Sequence, residues 1–258
     1  KIDYLFIGNK KGYFFIKKKL NKNINIFHLN SENKIIKKSR YVDSYTLGRL
    51  FQNNENEEIK LSKRVEDKVI SFLGKKIIKY DQVLFYDFGY IFSFKKMQSL
   101  LKKFNKNLIV NCQSNSYNFG YNLANKYNKA LILSMDEIEF RLLVQDKLSN
   151  IKILISKNIN RFKDYKITII TQGKHGSYII LKKKIYFIPT ILKQRLDTTG
   201  SGDIFLSMFS YLYLNSKLTI NQISVISHIA AGIHSNELGN RFNLDKKYIL
   251  NVLSSVLK

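Results

Sequence analysis

The chain has 258 residues, 45% of them hydrophobic, which is enough apolar material for the core of one α/β domain and excludes an intrinsically disordered protein. Lysine and arginine outnumber aspartate and glutamate by 44 to 19, a formal net charge of +25. The lysines are spread along the chain without an RNA-binding motif, and Asn, Ile, Tyr and Phe are enriched with them, as an AT-rich genome imposes on any protein. We therefore expect no nucleic-acid partner, although a basic field would attract phosphorylated substrates.

The sequence also indicates the compartment. No apolar run approaches the roughly 20 residues of a membrane span, and no signal peptide is visible. The single cysteine, Cys112, cannot form an internal disulfide, which is typical of a reducing compartment. We expect a cytoplasmic protein with no membrane partner. Because the first residue is Lys1 and not Met, we also expect the numbering to begin inside a longer protein.

Along the chain, hydrophobic residues switch repeatedly between a strand-like and a helix-like period, which predicts an α/β fold. The predicted strands cover residues 4–8, 24–28, 83–87, 108–111, 130–134, 167–171, 177–181 and 185–189. The predicted helices cover residues 10–20, 65–73, 94–104, 117–127, 136–144, 202–214, 220–235 and 245–257. We predict one domain over residues 1–258.

Residues 34–58 interrupt this alternation with two short strands and an acidic, Asn-rich loop. A small β lid inserted into the core over residues 31–58 is the simplest interpretation. An ordinary surface hairpin is the alternative.

The most informative segment is DTTGSGDIFLSMFSYLYL, residues 197–214. Gly200 and Gly202 flank Ser201, so the backbone can bend sharply and expose successive N–H groups. The stretch 204–216 carries no charged residue and must be buried if it is helical, so its N-terminus opens into the interior or a cleft. Backbone donors at a helix N-terminus bind phosphate readily.

Asp203 in the first turn of that helix has two interpretations. It could simply complement the helix dipole. It could also be a general base that deprotonates an acceptor hydroxyl, while the neighbouring amides hold the phosphoryl group in line with that hydroxyl.

DTTGSGD resembles the DTTGAGD motif of the ribokinase, or PfkB, family of carbohydrate kinases, with Ser201 in place of alanine. The resemblance implies a ribokinase-like three-layer α/β sandwich with a small β lid, and ATP-dependent phosphotransfer to a sugar or sugar-phosphate hydroxyl. It also implies that Asp203 is the catalytic base, that the amides of Gly200, Ser201 and Gly202 form the anion hole, and that Thr199 contacts the nucleotide.

Two further segments look like nucleotide contacts of that family. TQGKHGS, residues 171–177, is by itself a plain hairpin, but it resembles a TxGxxG segment that lies against the ATP phosphates, which implies that role for Thr171, Gly173 and Gly176. His228 lies where a helix of small residues borders the adenine pocket. The alternative is a histidine packed on an apolar helix.

SMDEIEF, residues 134–140, resembles the NxxE motif that organises Mg²⁺. The resemblance implies that Glu139 and Asp136 hold the metal, although Asp136 stands where the family has asparagine. Asp-x-x-Glu at a helix start is also a capping box, and both roles can hold at once.

The segments 86–90 and 111–122 look closest to kinases of the ADP-heptose pathway, which phosphorylate a heptose 7-phosphate. This implies substrate contacts by Asp87 and Asn111, the alternative being ordinary loops at the ends of strands. In that family a strand and a Gly-Gly segment precede the region matching Lys1, so we expect this numbering to lack the N-terminal strand. An attached nucleotidyltransferase domain and a homodimer formed through the lid are also expected from the resemblance.

Two alternatives stay open. A kinase for a nucleoside or a vitamin precursor would use the same glycine turn. A degenerate, non-catalytic kinase-like binding module fits the short N-terminus and Asp136, but not an intact base.

Overall fold

The computed structural model describes residues 1–56, 58–90, 95–192, 196–240 and 244–256. They form two units, one built from Lys1–Tyr80 and Tyr90–Leu100 and the other from Asp81–Gly89 and Leu101–Lys258. Among the described residues, no helix combines the length and the apolar character needed to cross a membrane.

The first unit contains a parallel strand pair and an antiparallel ribbon. Strands β1 and β2 pair in parallel across helix α1, and β3 pairs with β4 in a ribbon that has an irregularity at Tyr41 and Val42. The bounds are β1 Ile2–Gly8, α1 Lys10–Lys19, β2 Ile24–Asn30, β3 Lys37–Val42, β4 Arg49–Glu55 and α2 Lys63–Lys76. The ribbon lies within the segment predicted to be a lid, and its action as a lid stays a prediction.

The second unit is built on a six-stranded sheet with the order β10-β9-β8-β7-β6-β5. Strands β5 to β8 are parallel to one another, and β9 pairs antiparallel with both β8 and β10. The strands are β5 Val83–Asp87, β6 Leu108–Cys112, β7 Ala130–Asp136, β8 Tyr165–Thr171, β9 Gly176–Leu181 and β10 Lys184–Pro189. The remaining helices are α3 Lys95–Lys102, which crosses the boundary between the units, and α4 Glu137–Val144, α5 Ile151–Lys157, α6 Ser201–Asn215, α7 Ile220–Ser235 and α8 Lys246–Val256.

An apolar strand and an apolar helix of this unit lie in its core. All five residues of β6 are buried, as expected for a central strand of a parallel sheet covered on both faces. Helix α6 carries one charged residue, Asp203, and buries Phe205, Leu206 and Phe209 against the isoleucines of the central strands. The apolar helix predicted from residues 202–214 is therefore a core helix, and its N-terminus lies at the carboxyl edge of the sheet.

One predicted helix is wrong. Residues 117–127 form turns and a short 3₁₀ segment, Ala124–Lys126. Asparagine side chains bind the backbone there and compete with helical hydrogen bonds: Asn118 accepts from the amide of Asn115 at 3.0 Å, and Asn122 donates to the carbonyl of Asp87 at 3.0 Å. Helix α5 was not predicted.

Candidate active site

A cavity of about 290 Å³ opens at the carboxyl ends of β6, β7 and β8, beside the N-terminus of α6. In an open α/β sheet this edge is where ligands bind. Most of the predicted site residues meet in its lining. They are Asn111, Asp136, Glu139, Thr171, Gly173, Gly200, Ser201, Gly202 and Asp203. The lining also contains Gln113, which the sequence analysis missed.

The glycine turn presents free amides to this cavity. Gly200 caps α6 with φ 81°, in the left-handed region that favours glycine. In the part of the chain that the structure describes, the amides of Gly200, Gly202 and Asp203 donate to no acceptor. The Ser201 amide instead donates to the carbonyl of Thr198 at 3.1 Å. The Ser201 amide, which was predicted to belong to an anion hole, is therefore engaged within the turn, and the role of this turn stays a prediction.

The carboxylate of Asp203 is held on one oxygen. Its Oδ1 accepts hydrogen bonds from Nε2 of Gln113 at 2.5 Å and from Nδ2 of Asn111 at 3.2 Å. Its Oδ2 has no hydrogen-bond partner among the described residues. Burial raises the pKa of Asp203, while the hydrogen bonds from Gln113 and Asn111 and the charge of His234 act in the opposite direction.

Asn111 was predicted to contact the substrate, and it does line the cavity, but its amide is bound to the predicted base. Gln113, two residues further along the chain, also lines the cavity and donates its side-chain amide to Asp203. The signal for Gln113 was a polar residue directly after a strand buried at every position.

The backbone of the first turn of α6 is also anchored. The hydroxyl of Tyr86, on β5, donates to the carbonyl of Asp203 at 3.2 Å and lies 2.6 Å from Oγ of Ser207. Burial raises the pKa of Tyr86 to about 12, so it stays a donor at neutral pH. The turn that carries the predicted base is thereby fixed to the neighbouring sheet.

Asp136 and Glu139 form the capping box at the start of α4. Oδ1 of Asp136 accepts from the Glu139 amide and Oε2 of Glu139 accepts from the Asp136 amide, each at 2.7 Å. Oε1 of Glu139 accepts from the Ser114 amide at 2.7 Å. Burial and the charge of Asp136 raise the pKa of Glu139 to about 8.

These carboxylates fit a magnesium ion bound through water. Each oxygen of Glu139 keeps acceptor capacity beyond its one backbone donor, and both acids line the cavity. Among the described residues no group of three or more His, Cys, Asp or Glu could hold a metal directly. Mg²⁺ prefers to keep several waters and to bind one or two carboxylates together with substrate phosphates.

Asp87, which was predicted to contact the substrate, does not line this cavity. Its side chain is buried, and both oxygens are engaged within the protein. Oδ2 lies 2.5 Å from Nζ of Lys126 and accepts from the hydroxyl of Tyr127 at 2.6 Å, while Oδ1 accepts from the Gly89 amide at 2.8 Å. We assign Asp87 to the support of the strand ends.

Three predicted nucleotide contacts also lie outside the lining. The buried ring of His228 packs on Phe205, with ring centroids 4.7 Å apart, and Nε2 lies 2.9 Å from Oγ of Ser177. Gly176 has φ 126°, and an added Cβ would lie 2.1 Å from the carbonyl oxygen of Ile188, so strand packing alone explains this glycine. Thr199 donates its amide to Oδ1 of Asp197 at 2.9 Å.

Free helix amides and a carboxylate that share one cavity at the carboxyl edge of an α/β sheet define an enzyme that handles phosphate. The sequence model described as pfkB family carbohydrate kinase matches residues 5–230, and the chain belongs to this family. The chain is thus a member of a family of carbohydrate kinases, and the resemblance carried by DTTGSGD is confirmed. Kinases of this family use ATP as the phosphate donor, generally with Mg²⁺.

The curated relatives share about a quarter of their aligned residues with this chain. The chain is 26% identical over 215 residues to "Bifunctional protein HldE" of Aliarcobacter butzleri (strain RM4018), covering 80% of this chain and 42% of that protein. It is 23% identical over 245 residues to the protein of the same name in Sulfurimonas denitrificans, covering 91% of this chain and 49% of that protein. The chain spans less than half the length of these relatives.

Solved structures confirm the ribokinase-like fold. Phosphofructokinase-2 from Escherichia coli in complex with potassium has a TM-score of 0.75 at 11% identity, covering 99% of this chain and 82% of that chain. Ribokinase from Giardia lamblia has a TM-score of 0.71 at 16% identity, covering 98% and 82%. At these identities the likeness concerns the fold alone.

Proposed function

We propose that this domain transfers the γ-phosphoryl group of ATP to a hydroxyl of a sugar or sugar phosphate, with Asp203 as the base. The observation that carries the proposal is the arrangement at the start of α6. There, among the residues that the structure describes, Oδ2 of Asp203 and the amides of Gly200 and Gly202 have no hydrogen-bond partner, and all three residues line one cavity. Phosphotransfer needs a proton acceptor for the attacking hydroxyl and donors for the oxygens of the transferred group, side by side.

In the proposed reaction, Oδ2 of Asp203 takes the proton of the acceptor hydroxyl as that oxygen attacks the γ-phosphorus. A new O–P bond forms, the bond from the γ-phosphorus to the bridging oxygen breaks, and ADP leaves with that electron pair. The amides of Gly200, Gly202 and Asp203 donate to the phosphoryl oxygens, where negative charge accumulates. Thr171 and Gly173, at the end of β8 and in the same lining, are proposed to border the nucleotide phosphates.

The described lining of the cavity holds three carboxylates, Asp136, Glu139 and Asp203, and no lysine or arginine. Anionic phosphates would be repelled there without a cation. Bound Mg²⁺ would neutralise phosphate oxygens during transfer. We propose that Glu139 and Asp136 hold that ion through its waters, in addition to capping α4.

For the acceptor we propose heptose 7-phosphate, the substrate of the ADP-heptose branch that residues 86–90 and 111–122 resemble. The similarity to proteins named HldE supports this choice. An attached nucleotidyltransferase domain is proposed on the same basis.

An acceptor screen with radiolabelled ATP tests the proposal. Heptose 7-phosphate, other sugar phosphates, free sugars, nucleosides and vitamin precursors are compared at one Mg²⁺ concentration. We expect transfer to a sugar phosphate, and transfer only to a nucleoside or vitamin precursor would identify the alternative kinase class.

Asp203→Asn should lower kcat by at least 10²-fold, the scale of general-base loss, and still bind ATP. Unchanged turnover in that variant would exclude Asp203 as the base.

A further inference from the structure

The amide of Gln113 is the closest contact of the proposed base. Nε2 of Gln113 lies 2.5 Å from Oδ1 of Asp203, although the two residues are 90 positions apart in the sequence. Asn111 donates to the same oxygen at 3.2 Å. Both amides therefore converge on Oδ1, and Oδ2 is left without a partner among the described residues.

The backbone that carries Gln113 is itself fixed. Its amide donates to the carbonyl of Asp87 at 2.9 Å, and its carbonyl accepts from Nδ2 of Asn122 at 2.8 Å. The following residue, Ser114, donates its amide to Oε1 of Glu139 at 2.7 Å. The side chain of Gln113 thus extends toward Asp203 from a segment held on both sides, as a group that orients another must be.

We propose that Gln113 is a positioning residue for phosphotransfer, which with Asn111 holds Oδ1 of Asp203 so that Oδ2 alone is directed at the acceptor hydroxyl. This inference rests on the proposed function and deepens it. A carboxylate that rotates about its terminal bond would present either oxygen, or neither, to the acceptor. Correct orientation of a reacting group accounts for large factors in rate.

The same hydrogen bonds act on the charge of the base. Other titratable groups face Asp203 from the elements packed around it: Tyr86 on β5, Glu139 on α4 and His234 on α7. Burial disfavours the ionised carboxylate, and the donors on Gln113 and Asn111 favour it. Removal of one donor should raise the pKa of Asp203, so the acid limb of the kcat profile should move to higher pH.

The test uses Gln113→Met, which keeps the length of the side chain without its donor. We expect kcat to fall by about tenfold or more, with the KM for ATP little changed and the acid limb displaced upward. Gln113→Glu should displace the limb further, because two carboxylates this close cannot readily both ionise. The matched control is Gln82→Met, which removes an amide that donates to the carbonyl of Ser210, further along α6, at 3.0 Å. It should leave the pH profile unchanged.

A second measurement keeps this inference separate from the proposed function. The carboxyl carbon of Asp203 is titrated by NMR without substrates, with Asp203→Asn used for assignment. Gln113→Met should shift that titration to higher pH whether or not an acceptor has been found. If Gln113→Met and Gln113→Glu both leave the titration and the kinetic pH profile unchanged, the positioning role is wrong. If wild-type protein transfers phosphate to no acceptor, the proposed function fails, while the titration still decides the role of Gln113.

Discussion

Nε2 of His234 donates a hydrogen bond to the carbonyl oxygen of Thr199 across 3.0 Å, which ties the glycine turn to the last turn of α7. The carbonyl of Ser235, the next residue, accepts hydrogen bonds from the amides of Leu196 and Asp197 at 2.8 and 3.0 Å. The end of α7 therefore shapes the backbone that leads into the free amides of α6. The turn is thus held from outside the cavity by the end of α7.

We predict that His234→Ala loosens this turn. The Thr199 carbonyl is partly buried, so the loss of its donor should cost about 1 kcal/mol of stability, and misplaced amides should raise the KM for ATP several-fold. His228→Ala, on the same helix, is the control, because His228 is also buried but bonds to Ser177 outside the cavity. It should lower the Tm without changing the KM for ATP. An increase in KM confined to His228→Ala would instead support its predicted place beside adenine.

Asp203→Asn should make the protein more stable at neutral pH while it lowers kcat by at least 10²-fold. Burial raises the folded-state pKa of Asp203 above its ordinary 3.8, so the folded chain keeps this proton to higher pH than the unfolded chain does. Ionisation of Asp203 therefore disfavours folding as the pH rises above that value, at about 1.4 kcal/mol per unit of pKa difference. Asparagine removes this cost and can still accept from Gln113 and Asn111.

Urea unfolding at several pH values checks this prediction. The variant should unfold at higher urea than wild type at pH 7, and the difference should vanish as the pH falls below the ordinary pKa of aspartate. If the carboxylate of Asp203 only complements the helix dipole, the variant should instead be less stable than wild type at pH 7, by about 0.3–1 kcal/mol. The measurement thus shows whether the ionised carboxylate of Asp203 stabilises the start of α6 or is disfavoured there by burial.

The sequence predicted most of the fold because hydrophobic period alone distinguishes its strands and helices. Residues 83–87 and 220–235 form β5 and α7 as predicted, and other boundaries moved by one to three residues. Residues 117–127 could not be predicted, because asparagine side chains replace helical hydrogen bonds there without changing the period. The buried partners of Asp87 could not be predicted either, since Lys126 and Tyr127 are distant from it in sequence.

The site was predictable where chemistry lies within one short segment. Asp203 and its glycine turn lie within seven consecutive residues, 197–203, and the structure places both in the lining of the cavity. The contact of Gln113 with Asp203 depends on how β6 lies beside α6, which no local pattern reports. The occupied amide of Ser201 depends in turn on the detailed path of the turn.

Lys126→Met should destabilise the second unit strongly. Nζ of Lys126 lies 2.5 Å from Oδ2 of Asp87, which is 1% exposed, so the substitution leaves a buried carboxylate without its cation. Breaking such a pair costs about 3–5 kcal/mol, and the remaining bonds from Tyr127 and Gly89 place the expectation at the lower end. Asp87→Asn combined with Lys126→Met should recover part of the loss.

The control for this ion pair is Lys96→Met. Lys96 lies 2.5 Å from Asp67, but both side chains are about half exposed, and such pairs contribute about 0–1 kcal/mol. Urea midpoints of the two lysine variants are compared at one ionic strength. Equal losses would mean that burial does not govern the pair formed by Asp87.

Ser201→Ala should leave the protein as stable as wild type or more so. Oγ of Ser201 is buried and has no hydrogen-bond partner in the described part of the chain, so its removal relieves a desolvated hydroxyl and places a better helix former at the start of α6. The expected gain is about 0–1 kcal/mol, measured by thermal unfolding, with kcat unchanged. Ser210→Ala is the matched control on the same helix, because the buried hydroxyl of Ser210 donates to the carbonyl of Ser207 at 3.0 Å and its loss should cost about 1 kcal/mol. A clear loss of stability in Ser201→Ala would contradict the prediction. A tenfold fall in kcat at unchanged stability would mean that the hydroxyl turns toward the transferred phosphate during the reaction.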